Sequence, residues 1–167
     1  MPNRNITCCF SGHRIIKKQF LPLLEEKLFE TLKSLYEEGY TRFVAGGALG
    51  FDTLAAKTVI KLREEFNDIC LILVLPCKNQ AEKWRDSDKQ IYEEIKKQSD
   101  LIIYTTDRYI DGCMQARNRA LVDMSSVLVC YKNRDMGGTA YTVNYAVKEG
   151  TKVINLADNN TQEIMDI

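Results

Sequence analysis

The chain has 167 residues, 45% hydrophobic and 28% charged, the make-up of one soluble domain over residues 1–167 that buries a core without staples. Its 23 basic and 23 acidic residues cancel, which excludes recruitment of nucleic acid or anionic membrane by an overall basic field. No long apolar run is present and the start Met1-Pro2-Asn3-Arg4-Asn5 lacks a signal peptide's apolar stretch, so no membrane contact and a cytoplasmic location are expected.

Residues 6–10 form a short apolar run that reads as a buried strand stopped by Ser11-Gly12. Phe20, Leu24, Leu28, Leu32 and Leu35 then recur on one helical face, and Gly39 ends that helix. A second strand over 42–45 runs into Gly46-Gly47-Ala48-Leu49-Gly50-Phe51-Asp52, which opens a helix over about 51–65. Residues 69–75 are a nearly all-apolar strand ended by Pro76. A charged helix over roughly 81–98 follows, interrupted near Asp86-Ser87-Asp88, and then a strand over 101–104. After a polar loop come a helix over 113–124, a strand over 126–131, a helix over 139–148 and a strand over 152–156. The last ten or so residues are polar and expected to fray.

Apolar strands alternating with amphipathic helices predict an α/β, Rossmann-like three-layer sandwich, with a mainly parallel sheet of about six strands. Such sheets bind ligands at the carboxyl ends of their strands, where the strand order reverses. The loops 11–14, 46–52, 76–84, 105–112 and 132–139 all follow strands, so they share that edge.

Two loops on that edge have the chemistry of a phosphate cradle. Gly46, Gly47 and Gly50 allow close backbone approach to a ligand at a helix N-terminus, where free N–H groups favour an anion. Gly137-Gly138-Thr139 repeats the device, and the Thr139 hydroxyl caps its helix or stands beside phosphate. The two sets of amides are expected to converge on one anion pocket. Asp52 is read first as a helix cap and alternatively as a partner for a ribose hydroxyl. The glycine loop lacks both the Lys-Ser/Thr pair of a Walker motif and the GxGxxG spacing, which disfavours magnesium-dependent ATP hydrolysis and dinucleotide binding of the usual kind.

Ser11-Gly12-His13-Arg14 adds a hydroxyl, a tight turn, an imidazole and a guanidinium matched to phosphate. Arg117 and Arg119 lie about 200° apart around their helix, so only one faces the ligand, and Arg117 is the choice. Trp84 closes over a ligand ring or packs beneath its loop, packing being preferred; Glu82 is a weak acid–base candidate. Tyr141 and Tyr145 share a face expected to pack against the sheet. The six cysteines contain no CxxC pair, and four of them, Cys8, Cys9, Cys70 and Cys130, fall in apolar runs as small buried hydrophobes. With a single histidine and scattered cysteines no metal site is expected, and no cofactor is expected either.

Taken together, Ser11-Gly12-His13-Arg14, the 46–52 loop, Gln80 with Trp84, Arg117-Asn118-Arg119 and Gly137-Gly138-Thr139 resemble the YpsA-like branch of the SLOG superfamily over about residues 6–156. That superfamily joins the DNA-processing protein DprA and the LOG phosphoribohydrolases on a Rossmann-like domain. The resemblance implies binding of nucleotides or nucleotide-derived molecules, as sensing, cleavage or DNA handling. In LOG enzymes a helix arginine and the glutamate of a PGGxGTxxE loop carry N-glycosidic cleavage. Arg117 looks like that arginine, whereas Thr142 stands roughly where the glutamate is expected. Cleavage would therefore need another carboxylate, such as Asp52, Glu82 or Asp123.

The leading expectation is a sensor or regulatory domain holding a nucleotide-derived phosphate compound. A nucleotide hydrolase is the alternative. A single-stranded DNA-binding module is the lesser one, because no run of interleaved basic and aromatic residues is present. By analogy with relatives on this fold, a homodimer is a candidate assembly.

Overall fold

The computed structural model describes residues 3–157. Six strands form one all-parallel sheet: β1 (Thr7–Gly12), β2 (Arg42–Ala45), β3 (Cys70–Leu75), β4 (Leu101–Tyr104), β5 (Val127–Tyr131) and β6 (Lys152–Asn155), in the order β4-β3-β2-β1-β5-β6. The five helices are α1 (Leu21–Glu37), α2 (Phe51–Glu65), α3 (Asp86–Gln98), α4 (Cys113–Asp123) and α5 (Gly138–Lys148). The Rossmann-like three-layer sandwich expected from the alternation is the architecture observed.

Side-chain alternation along each strand sorts the core into two layers. Phe10, Phe43, Leu71, Leu73 and Val129 face α1, α2 and α3. Cys9, Val44, Ile72, Val74 and Leu128 face α4 and α5. Helix α1 presents Leu24, Leu28, Leu32 and Leu35 to the first layer, and each such burial contributes about 1.5–3 kcal/mol. All six cysteines are free thiols, buried except Cys70, which is partly exposed on β3.

Several boundaries differ from the sequence reading, most by one residue, and three have a visible cause. β1 continues through Ser11 and Gly12, because both pair with β5. Asp86-Ser87-Asp88 starts a helix rather than interrupting one. Residues before it fold into turns (Glu82 N–H to Asn79 O, Trp84 N–H to Ala81 O), and Trp84 packs edge-on against Tyr92 with centroids 5.1 Å apart. Asp86 and Asp88 in the first turn suit the positive end of the helix dipole. β6 ends at Asn155, whose side chain bonds back to both backbone groups of Lys132.

The chain passes from β1 through α1, α2 and α3 to one side of the sheet, and α4 then carries it across to β5 on the other side. The strand order therefore reverses between β1 and β5, which leaves a crevice beyond their carboxyl ends. Among the described residues no helix is long and apolar enough to cross a membrane.

Candidate functional site

A cleft of about 790 Å³ opens at this reversal point. β1 and its outgoing turn supply Ser11, Gly12, His13 and Arg14; α2 supplies Asp52. α4 contributes Arg117, and the start of α5 contributes Gly138 and Thr139. Gly46, Gly47, Gly50 and Gly137 do not line it.

Open amides face the cleft from α5. The first helical bond there runs from Tyr141 N–H to Gly137 O, so the N–H groups of residues 138–140 have no partner within the helix. A Cβ placed on Gly137 or Gly138 would meet nothing within 4 Å. Ser11 and Thr139, residues 8% and 7% exposed, also line the cleft, and neither hydroxyl makes a hydrogen bond among the described residues.

The α2 terminus is closed by the protein itself. Phe51 N–H donates to His13 O at 3.1 Å, and the backbone of Arg14 sits against Gly50. The Arg117 Nη1 donates to Gly46 O, while Gln80 Nε2 donates to Gly47 O at 3.2 Å. The expected convergence of two amide sets on one pocket is thus reduced to one set, at α5. The 46–50 loop is filled from behind by side chains and by the turn that follows β1.

Asp52 does not cap α2. Its Oδ2 accepts the Ala48 N–H at 3.2 Å, and both it and Arg117 Nη1 lie against Gly46. Burial raises the Asp52 pKa, and the Arg117 charge and the Ala48 N–H oppose that rise. Burial likewise works against the Arg117 charge, which Asp52 supports. Arg117 is 3% exposed and its Nε donates to Asn118 Oδ1 at 2.9 Å. It reaches the cleft as a floor, with much of its fork already engaged.

His13 is buried, and its Nε2 accepts the Asn133 N–H at 3.1 Å. Its pKa is lowered by burial and by the nearby Arg134 charge. A neutral ring accepting at Nε2 carries its proton on Nδ1, which makes His13 a donor at neutral pH rather than a base.

Sequence reasoning left out Lys17 and Arg134, two exposed cations on the cleft rim, and Asn118 and Asn133. The available signal was the position of Arg134 and Asn133 in the loop after β5, on the ligand edge. Among the described residues the lining carries four cations, Arg14, Lys17, Arg117 and Arg134, against the single carboxylate Asp52.

Other candidates lie elsewhere. Glu82 is exposed near Asn79, and Asp123 accepts the Tyr145 hydroxyl at 2.7 Å. Tyr145 packs against the sheet's second core layer as expected, with its hydroxyl on Asp123, whereas Tyr141 is exposed and accepts from Arg119 at 2.7 Å. Arg119 is exposed and outside the cleft, as the helical spacing predicts. Thr142 is fully buried, and its hydroxyl turns back to Gly138 O at 2.9 Å. No cluster of metal-ligating side chains occurs among the described residues.

The chain is similar to solved structures of the same fold. DNA processing protein A from Helicobacter pylori, described for its single-stranded DNA binding mode, superposes with a TM-score of 0.67 at 20% identity, covering 98% of this chain and 73% of that one. The structural-genomics protein TM1055 gives 0.60 at 19% identity, covering 96% and 81%. Among curated proteins, a UPF0398 protein of Halalkalibacterium halodurans is 32% identical over 127 residues, 74% of this chain and 67% of the relative. A UPF0398 protein of Bacillus velezensis is 28% identical over 123 residues, 72% and 68% respectively. The model of the YspA SLOG family matches residues 14–159, which takes in α1 to β6 and all the cleft-forming loops but the start of the first, and the chain belongs to that family.

Proposed function

We propose that the cleft binds a nucleotide or nucleotide-derived molecule by its phosphate, and that the protein acts as a sensor or regulatory domain for that ligand. One observation carries the reading. The open amides of α5 stand beside Ser11 and Thr139, two residues more than nine-tenths buried that line the cleft and whose hydroxyls have no partner among the described residues. Free N–H groups at a helix N-terminus and donor hydroxyls suit phosphate oxygens, and guanidinium groups at the rim supply matching charge. The volume lies in the range of small-molecule sites.

Binding without cleavage is favoured. Among the described residues Asp52 is the one carboxylate lining the cleft, and it is held by Ala48 N–H beside Arg117. N-glycosidic cleavage needs an acid or base within reach of the reacting atom, and position 142 supplies a hydroxyl turned into its own helix. A second reading is single-stranded DNA, favoured by the likeness to the Helicobacter pylori protein. In that reading the same amides and cations take a phosphate of the strand.

A thermal-shift panel of AMP, ADP, NAD, ADP-ribose and a single-stranded oligonucleotide tests these readings. A nucleotide at ~100 times its Kd is expected to add about 2.7 kcal/mol of stability and to be recovered intact by chromatography. Arg14→Ala is expected to abolish the shift. A shift with the oligonucleotide alone, falling steeply with salt, selects the DNA reading. Silence across the whole panel contradicts both.

A further inference from the structure

His13 carries a donor that the protein itself does not use. The chain leaving β1 runs beside the chain leaving β5: Gly12 pairs with Tyr131, and just beyond them His13 Nε2 accepts the Asn133 N–H at 3.1 Å. A neutral imidazole that accepts at Nε2 holds its proton at Nδ1, so the tie to Asn133 fixes the tautomer. The Nδ1–H then has no partner among the described residues.

Nor is that donor sealed in. Among the described residues the sealed, unpartnered side-chain polar atoms are Gln80 Oε1 and Thr151 Oγ1, whereas His13, though 7% exposed, lines the cleft. A donor at this depth has lost most of its water, so a ligand acceptor is worth more to it than to an exposed group.

The ring is also held before any ligand arrives. His13 O accepts the Phe51 N–H at 3.1 Å, and the imidazole stands edge-on to the buried Tyr131, with centroids 6.1 Å apart. With Nε2 on Asn133 as well, Nδ1–H keeps one direction, which spares the cost of ordering it on binding.

Its surroundings decide which acceptor suits it. Ser11 precedes it on β1, and Gly138 and Thr139 line the cleft from α5, with the rim cations Arg14, Lys17 and Arg134 around them. The acceptors nearby are engaged: Asp52 takes the Ala48 N–H, and Asn118 Oδ1 takes Arg117 Nε. A phosphate presents acceptors alone and satisfies such a set, whereas a ribose hydroxyl or a base amine brings donors of its own.

We propose that His13 reads the ligand, a role that rests on the nucleotide reading of the cleft: its Nδ1–H donates to a phosphate oxygen while its Nε2 holds the loop after β5. The chain has one histidine, so a long-range proton–nitrogen correlation spectrum of the labelled protein reports this ring alone. Nδ1 is expected to be the protonated nitrogen in the free protein. AMP is expected to move its signal saturably, together with the amides of Gly138 and Thr139, and adenosine to leave it in place. Two substitutions separate reading from support. His13→Asn keeps a donor near Nδ1 and gives up the tie to Asn133, whereas His13→Gln keeps an acceptor for Asn133 and gives up the Nδ1 donor. His13→Asn is expected to hold AMP within about threefold of the wild type, and His13→Gln to weaken it about tenfold or more. The reverse order overturns the proposal, as does an equal response to adenosine. So does a free protein protonated at Nε2, a readout that needs no variant to fold. AMP that shifts Gly138 and Thr139 while the imidazole stays still overturns the role of His13 and leaves the nucleotide site standing; AMP that shifts none of them overturns both.

Discussion

Arg14 and Arg117 have the same charge and line the same cleft, but their surroundings assign them different work. Arg14 is exposed at the rim, whereas Arg117 is almost fully buried with its fork on Gly46 O and Asn118. Removing Arg117 leaves Asp52 buried without its compensating charge, so Arg117→Ala is expected to lower unfolding stability by about 3 kcal/mol in urea denaturation. Arg14→Ala is expected to leave the midpoint in place and to cost binding alone. His13 carries a pH signature. Its folded pKa is depressed below 6.5, chiefly by burial, so the stability it contributes is fully present above 6.5 and is lost as pH falls through the folded value. Melting temperature is therefore expected to fall as the pH drops below about 6.5, and to fall less steeply in His13→Gln. Equal slopes in the two proteins would contradict the burial of a neutral ring.

The two glycine loops separate in the same way at the level of whole elements. Gly50 has φ +78°, and a Cβ there would sit 2.2 Å from Arg14 O, so Gly50→Ala is expected to destabilise by about 2 kcal/mol or more. Gly138 opens α5 into free space, so Gly138→Ala is expected to keep the wild-type melting temperature and lose nucleotide binding. Paired thermal melts and titrations of the two variants check both outcomes. The elements themselves were legible because apolar spacing reports burial: the leucines of α1 and the unbroken run of β3 identify their partners. The start of α3 was not, because an edge contact between Trp84 and Tyr92 overrides a sequence that suits a longer helix. Nor could spacing reveal that the turn after β1 covers α2, since residues 13–14 and 50–51 meet only in the folded chain.

Across the whole molecule, topology does what no single loop does. Crossing from β4 to β5 sets α4 and α5 against the end of β1, and that placement brings Ser11, Thr139 and the rim arginines to one cleft. Sequence order made the shared edge of the strands legible, together with eight of the twelve expected site residues that line the cleft: Ser11, Gly12, His13, Arg14, Asp52, Arg117, Gly138 and Thr139. It could not tell an open helix terminus from a closed one, because closure comes from residues distant in the chain. The central claim is that phosphate sits at α5 and not at α2. Titration of the isotopically labelled protein with AMP, followed by amide chemical shifts, tests this most directly. Saturable shifts are expected at Gly138, Thr139 and Ala140. Shifts confined to residues 46–51, or none at any concentration, would contradict the account.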